Sequence, residues 1–265
     1  MEQMKGKVAL VTGGSSGIGR AAALAFACRG ARVVLTSRGA ERGAEVEREI
    51  RAAGGTAAFV RADVSRGDEV EALIEKTVAD YGRLDYAFNN AASMGEPFAM
   101  TADLTEEQFD RSIALNLRSV WLCMKAEIRR MLAQQPAGGA IVNTSSVNGL
   151  GGVPQGSFYA ASKAGVLALT KSAALEYARS GIRVNALVAG GFQTPMLEGV
   201  IDRVSGGSPE AKQAIVKGYE DLIALGRIGL PEEAAEVAVW LCSDAASYVT
   251  GHSMIVDGGW TAATR

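Results

Sequence analysis

Seven short apolar runs separated by helical patterns recur along this chain, and that alternation constrains its fold more than any other feature. Residues 8–11, 33–36, 57–60, 84–89, 140–144, 184–188 and 253–256 read as strands. Helical patterns fill residues 18–29, 41–53, 68–81, 105–134 and 159–180, and a further helix begins at Pro231. Thr105 is the expected N-cap of the fourth helix, with Glu106 and Glu107 in its first turn. Near-continuous apolar strands leave no solvent face, so the pattern calls for a parallel sheet covered on both sides by helices. The expected fold is α/β and doubly wound, with residues 1–265 forming one domain. Residues 190–230 are the least regular, with the break Ser205-Gly206-Gly207-Ser208-Pro209 and a helical stretch at 210–224. A long insertion after a strand's carboxyl end lies over the ligand crevice of such folds. The segment is therefore expected to be a mobile substrate lid, with a peripheral surface excursion as the alternative.

The first strand runs directly into Thr12-Gly13-Gly14-Ser15-Ser16-Gly17-Ile18-Gly19-Arg20. Glycines there allow a tight turn and close approach of backbone to a pyrophosphate, and the next helix supplies oriented N–H groups. The spacing G-x-x-x-G-x-G differs from the G-x-G-x-x-G dinucleotide fingerprint, but its place between a strand and a helix favours nucleotide binding. At the end of the second strand, where an acidic residue would accept ribose hydroxyls, stand Ser37 and Arg38. A guanidinium suits the 2′-phosphate of NADP, so NADP is favoured over NAD. Asp63 and Val64 follow the third strand. Asp63 is placed to meet the adenine edge or to cap the next helix.

Other chemistries are disfavoured by composition. Net charge is −2 and no basic block exists, so no nucleic-acid partner is expected. The N-terminus lacks a signal-peptide pattern, and no apolar run approaches the ~20 residues of a membrane span. The reading is of a soluble, cytoplasmic protein. Cys28, Cys123 and Cys242 lie in apolar helical contexts and are expected to be buried free thiols. The single histidine, His252, disfavours a Ser-His-Asp hydrolase or a histidine metal site, and no metal is expected. His252 is expected to start the last strand in a structural role.

In S-F-Y-A-A-S-K-A-G, Tyr159 and Lys163 are four residues apart and share one helix face. An ammonium beside a phenol favours the phenolate and lowers a pKa that is otherwise about 10. The pair is thus suited to proton transfer between an alcohol and a carbonyl.

On these residues the chain resembles the short-chain dehydrogenase/reductase family over nearly its whole length. Thr12-Gly13-x-x-x-Gly17-x-Gly19 is similar to the family's cofactor loop, and Asn89-Asn90-Ala91-Ala92 to its N-N-A-G element. Ser146 lies thirteen residues before Tyr159, and Tyr159-x-x-x-Lys163 matches the family's pair. The resemblance implies a Rossmann-type domain with a mostly seven-stranded parallel sheet, and an NAD(P)-dependent exchange of a secondary alcohol and a ketone. It implies that Tyr159 moves the proton. Lys163 tunes Tyr159 and holds the nicotinamide ribose, and Ser146 rather than Ser145 holds the substrate oxygen. Asn116 would support a proton-relay water, and Thr194 would contact the carboxamide or phosphates. Gly13, Ser15, Ser16, Gly17, Ile18, Gly19, Ser37, Arg38, Asp63, Val64, Asn90, Ala91 and Gly190 complete the implied cofactor site, with Tyr159, Lys163 and Thr194.

The chain departs from the family pattern at Ala92, at Ala189-Gly190 in place of P-G, and at Ser16, which is often basic in NADP-dependent members. Ser93, Met94, Asn148, Gln155, Phe158, Phe192 and Met196 are expected to line the substrate pocket. A small or medium alcohol or ketone fits their mixed polarity. The alternatives are a 3-oxoacyl-thioester reductase and a non-catalytic nicotinamide-nucleotide-binding regulator. The resemblance also implies a homotetramer assembled through the helices at 105–134 and 159–180, which carry Trp121, Leu122, Met124, Leu167 and Leu169.

Overall fold

The structure, a computed structural model, describes residues 3–94 and 98–262. The strands are β1 (Val8–Thr12), β2 (Arg32–Ser37), β3 (Thr56–Arg61), β4 (Tyr86–Asn89), β5 (Gly139–Ser146), β6 (Ile182–Ala189) and β7 (Ser253–Val256). All seven pair in parallel, in the order β3-β2-β1-β4-β5-β6-β7. The chain winds outward from β1 to β3, then returns to start β4 on the other side of β1. That reversal opens a crevice at the carboxyl ends of β1 and β4.

Helices α1 (Gly17–Cys28), α2 (Ala40–Ala52) and α9 (Pro231–Cys242) cover one face. Helices α3 (Gly67–Tyr81), α5 (Ser119–Ala133) and α6 (Ser157–Tyr177) cover the other. The two-residue side-chain period is visible within β1. Ala9 and Val11 pack toward α1 and α9, while Leu10 packs toward α3 and α5. All of β1 is buried, as its unbroken apolar sequence requires.

The helix expected at 105–134 is divided. Helix α4 (Glu106–Ile113) leads through a π-helical turn, Ala114–Arg118, into α5. The Asn116 amide donates to the Ser112 carbonyl at 3.1 Å, competing for the acceptor one turn back. Thr105 caps α4 in a reciprocal box with Gln108, as its sequence position predicts.

Within 190–230, α7 (Pro195–Ser205) precedes α8 (Pro209–Leu222). Helix α7 was not expected, although its signals are present. Thr194 is the N-cap, Pro195 follows it, and Gly206 closes the helix at φ +59°. Cys123 and Cys242 are buried, but Cys28 at the end of α1 is exposed, which corrects the expectation for that thiol. His252 directly precedes β7 and donates its backbone N–H to Asn185 Oδ1 at 3.0 Å. Among the described residues no helix is long and apolar enough to cross a membrane.

Candidate active site

A cavity of about 480 Å³ occupies the crevice and runs from the ends of β2 and β3 to the end of β5. Its floor is the glycine loop. Thr12 Oγ1 accepts from the backbone N–H groups of Asn90 and Ala91 at 3.0 and 3.1 Å, fixing the loop after β4 against the loop after β1. Gly13 has φ +65°, and a Cβ there would lie 3.0 Å from Ala91 Cα. Gly17 has φ +51° and faces the Thr194 methyl group. Ser16, the N-cap of α1, makes no side-chain cap bond, so the first-turn N–H groups have no acceptor within the helix. Ser15, Ser16, Gly17 and Ile18 therefore line a cradle of backbone donors, open at Gly17, that fits a pyrophosphate. Gly19 does not line the cavity. A Cβ there would lie 2.2 Å from the Gly13 carbonyl oxygen, so this glycine lets the helix approach the loop.

At the β2 end, Ser37, Arg38, Asp63 and Val64 line the cavity together with Arg42, which sequence reasoning missed. Arg42 lies four residues beyond Arg38, in the first turn of α2. That spacing was the available signal for a second guanidinium. Asp63 accepts from the backbone N–H and the hydroxyl of Ser65. Burial raises its carboxyl, but those bonds and the charges of Arg38 and Arg66 outweigh it and leave the group below the usual carboxylate range.

At the opposite end, β5 delivers Ser146 and α6 delivers Tyr159 and Lys163. The Ser146 hydroxyl lines the cavity beside the Tyr159 phenol and accepts from the Asn148 backbone N–H at 3.2 Å. Ser145 instead donates to the Lys163 carbonyl at 2.8 Å. Lys163 is buried, with Nζ 2.9 Å from the Thr144 carbonyl oxygen and 5.6 Å from the Tyr159 ring centre. Burial lowers its ammonium to about 8.

The phenol corrects one expectation. Burial pushes Tyr159 up to about 12, and the neighbouring Ser146 hydroxyl opposes this only in part. The lysine four residues away does not hold the phenol below its ordinary value, because desolvation dominates.

Asn90, Ala91, Gly190 and Thr194 line the middle of the cavity. Asn116 does not. Its amide pairs with the Ser93 backbone, accepting at 2.9 Å and donating at 3.0 Å, which places it one layer behind the site. Of the expected substrate residues, Ser93, Met94, Asn148, Phe192 and Met196 line the main cavity. Gln155 and Phe158 line a smaller one beside Tyr159. Tyr219 and Trp260 also line the main cavity. Neither carries a sequence signal, because one lies on α8 and the other in the C-terminal turn.

The family described as enoyl-(acyl carrier protein) reductase matches residues 13–261. A 2,5-dichloro-2,5-cyclohexadiene-1,4-diol dehydrogenase of Sphingobium indicum is 42% identical over 99% of this chain and 100% of its own. A cyclohexanol dehydrogenase of an Acinetobacter species is 42% identical over 96% of this chain and 95% of its own. The crystal structure of levodione reductase superposes with a TM-score of 0.92 at 35% identity, covering 98% of this chain and 100% of that one. The family model spans the chain from the glycine loop to the C-terminal turn. The chain belongs to the short-chain dehydrogenase/reductase family and is an NAD(P)-dependent oxidoreductase acting on CH–OH groups.

Proposed function

We propose that the protein interconverts an uncharged secondary alcohol and its ketone with NADP(H). The convergence of Ser146 and Tyr159 on one end of the cavity, beside the buried Lys163, carries this reading, because it sets two hydroxyls near one point where a reacting oxygen can sit. The bound nicotinamide supplies or accepts the hydride. In the reducing direction the neutral Tyr159 phenol gives its proton to the carbonyl oxygen, while the Ser146 hydroxyl donates a hydrogen bond to it. In the oxidising direction Tyr159 takes the proton from the alcohol. Lys163, anchored on Thr144, keeps a cation beside the phenol and offers its remaining N–H groups to the nicotinamide ribose. Asn116 acts from behind, holding the Ser93 backbone that forms one wall.

Arg38 and Arg42 support NADP over NAD, since both reach the end of the cavity where an adenosine ribose belongs. Relatives named for ring alcohols favour a cyclic substrate. The family description favours an acyl thioester as the second reading. The working unit in this reading is one domain, residues 1–265, with 190–230 as its substrate lid.

We infer a cytoplasmic homotetramer. An apolar groove lined by Ile113, Leu117, Trp121, Ala168 and Leu169 supports the assembly. Trp121 is 43% exposed there, whereas Leu122, Met124 and Leu167, expected at the same contact, are in the core.

The test follows NADPH and NADH oxidation in parallel with cyclic ketones, open-chain ketones and 3-oxoacyl thioesters, with Tyr159→Phe as the blank. Turnover of ketones that prefers NADPH and disappears in the variant supports the proposal. Turnover confined to thioesters replaces it with the second reading.

A further inference from the structure

We propose that Trp260 and Tyr219 form an aromatic wall that selects alcohols whose carbinol carbon lies in an uncharged saturated ring over open-chain alcohols of equal size. The inference rests on the alcohol–ketone reading and adds what the substrate end recognises.

Both rings line the cavity that holds Ser146 and Tyr159. They meet edge to face, with centres 5.7 Å apart and planes at 88°. Tyr219 comes from α8 and Trp260 from the turn after β7, so their meeting depends on how that turn is held. The Asp257 carboxylate accepts from the Gly259 N–H at 2.8 Å, the Thr261 N–H at 2.8 Å and the Thr261 hydroxyl at 2.7 Å. Gly258 and Gly259 have φ +65° and +87°, conformations that side chains disfavour. Side chains would also collide there. A Cβ at Gly258 would lie 2.6 Å from Ile223 Cγ2, and one at Gly259 would lie 2.8 Å from Ala224 Cβ. The Leu225 N–H donates to the Gly258 carbonyl at 3.0 Å. The turn is thus docked on the chain leaving α8, and the two rings are fixed relative to each other.

The charges of the cavity are placed elsewhere. Among the described residues its charged lining groups are Arg38, Arg42 and Asp63 at the β2–β3 end and Lys163 beneath Tyr159. A carboxylated or phosphorylated substrate would meet no counter-charge at the aromatic wall. A saturated ring presents a broad apolar face to a flat indole and has few rotors to freeze on binding. An open chain covers less of the indole and loses more freedom.

The experiment compares cyclohexanol with hexan-2-ol in the wild type, Trp260→Ala, Trp260→Phe and Asp257→Asn. Cyclohexanone and hexan-2-one are titrated calorimetrically into the protein–NADP+ complex alongside. Trp260→Ala is expected to lower kcat/KM for cyclohexanol by about 10–100-fold and that for hexan-2-ol by less than about threefold. Trp260→Phe should recover most of the loss. Asp257→Asn, whose side chain does not line the cavity, should shift the ring-to-chain ratio in the same direction. NADPH affinity should not change. Equal losses for both alcohols, or none, overturn the wall. A wild type that turns over neither alcohol, yet binds cyclohexanone about tenfold more tightly than Trp260→Ala does, keeps the wall and overturns the alcohol–ketone reading. Absence of both turnover and ring binding overturns both.

Discussion

Lys163 Nζ donates a hydrogen bond of 2.9 Å to the Thr144 carbonyl oxygen. Through it, the carboxyl end of β5 holds the cation that α6 carries beneath Tyr159. The lysine is buried and its ammonium is lowered only to about 8, so it remains charged at neutral pH. A phenol that burial pushes up to about 12 needs such a neighbour when it must carry negative charge. Replacing Tyr159 with Phe is expected to reduce turnover by about 10²–10⁴-fold and to leave NADPH binding within a factor of about two. Lys163→Met should lose turnover on the same scale and also weaken the cofactor. Steady-state rates beside fluorescence titration of NADPH separate these two signatures.

Arg38 and Arg42 face the same end of the cavity. Each charge-assisted bond to a phosphate contributes about 1.5–3 kcal/mol, or roughly 10–100-fold in affinity. Arg38→Ala and Arg42→Ala should each weaken NADP+ binding by that order and leave NAD+ binding nearly unchanged. Equal weakening of both cofactors would show that the guanidinium groups serve only the adenine or the loop.

Glu127 on α5 is fully buried, and Asn89 Nδ2 donates to its Oε2 at 2.9 Å. Glu127 Oε1 and Asn89 Oδ1 have no hydrogen-bond partner. Burial raises the carboxyl to about 8, with the Asn89 bond opposing it, so the group is a neutral acid in the folded protein below that pH. Between pH 4.5 and 8 the folded chain binds a proton here that the unfolded chain has released. The contribution of Glu127 to stability therefore falls as pH rises through that window, by about 1.4 kcal/mol per pH unit. Glu127→Gln keeps the acceptor and removes the titration. Its denaturant midpoint should overtake that of the wild type as pH increases from 5 to 8; parallel curves for the two proteins would be the contrary result.

Gly19 has no room for a methyl group, because a Cβ would lie 2.2 Å from the Gly13 carbonyl oxygen. Gly19→Ala should force α1 away from the loop, destabilise the fold by about 1–3 kcal/mol and weaken cofactor binding. By contrast, Gly151→Ala, at an exposed position outside the cavity with open space around it and no positive φ, should change neither. Thermal melts with and without NADPH distinguish the two.

The sequence by itself determined the layered fold. Strand and helix periods are local, and the runs at 33–36, 57–60 and 253–256 needed little adjustment at their ends. It also pointed to the glycine loop and to Tyr159 and Lys163 by loop and helix-face spacing, and to Ser146 by its resemblance to the family. Only the tertiary structure decided the rest. Arg42 joins Arg38 through the packing of α2, and Asn116 is drawn behind the site by its bonds to Ser93 and Ser112. Tyr159 is governed by burial, which sums over every element around it, more than by the lysine one turn away. Trp260 meets Tyr219 because two left-handed glycines and one carboxylate fold the C-terminal turn onto the end of α8. Such contacts join residues far apart in the chain, and no local period encodes them.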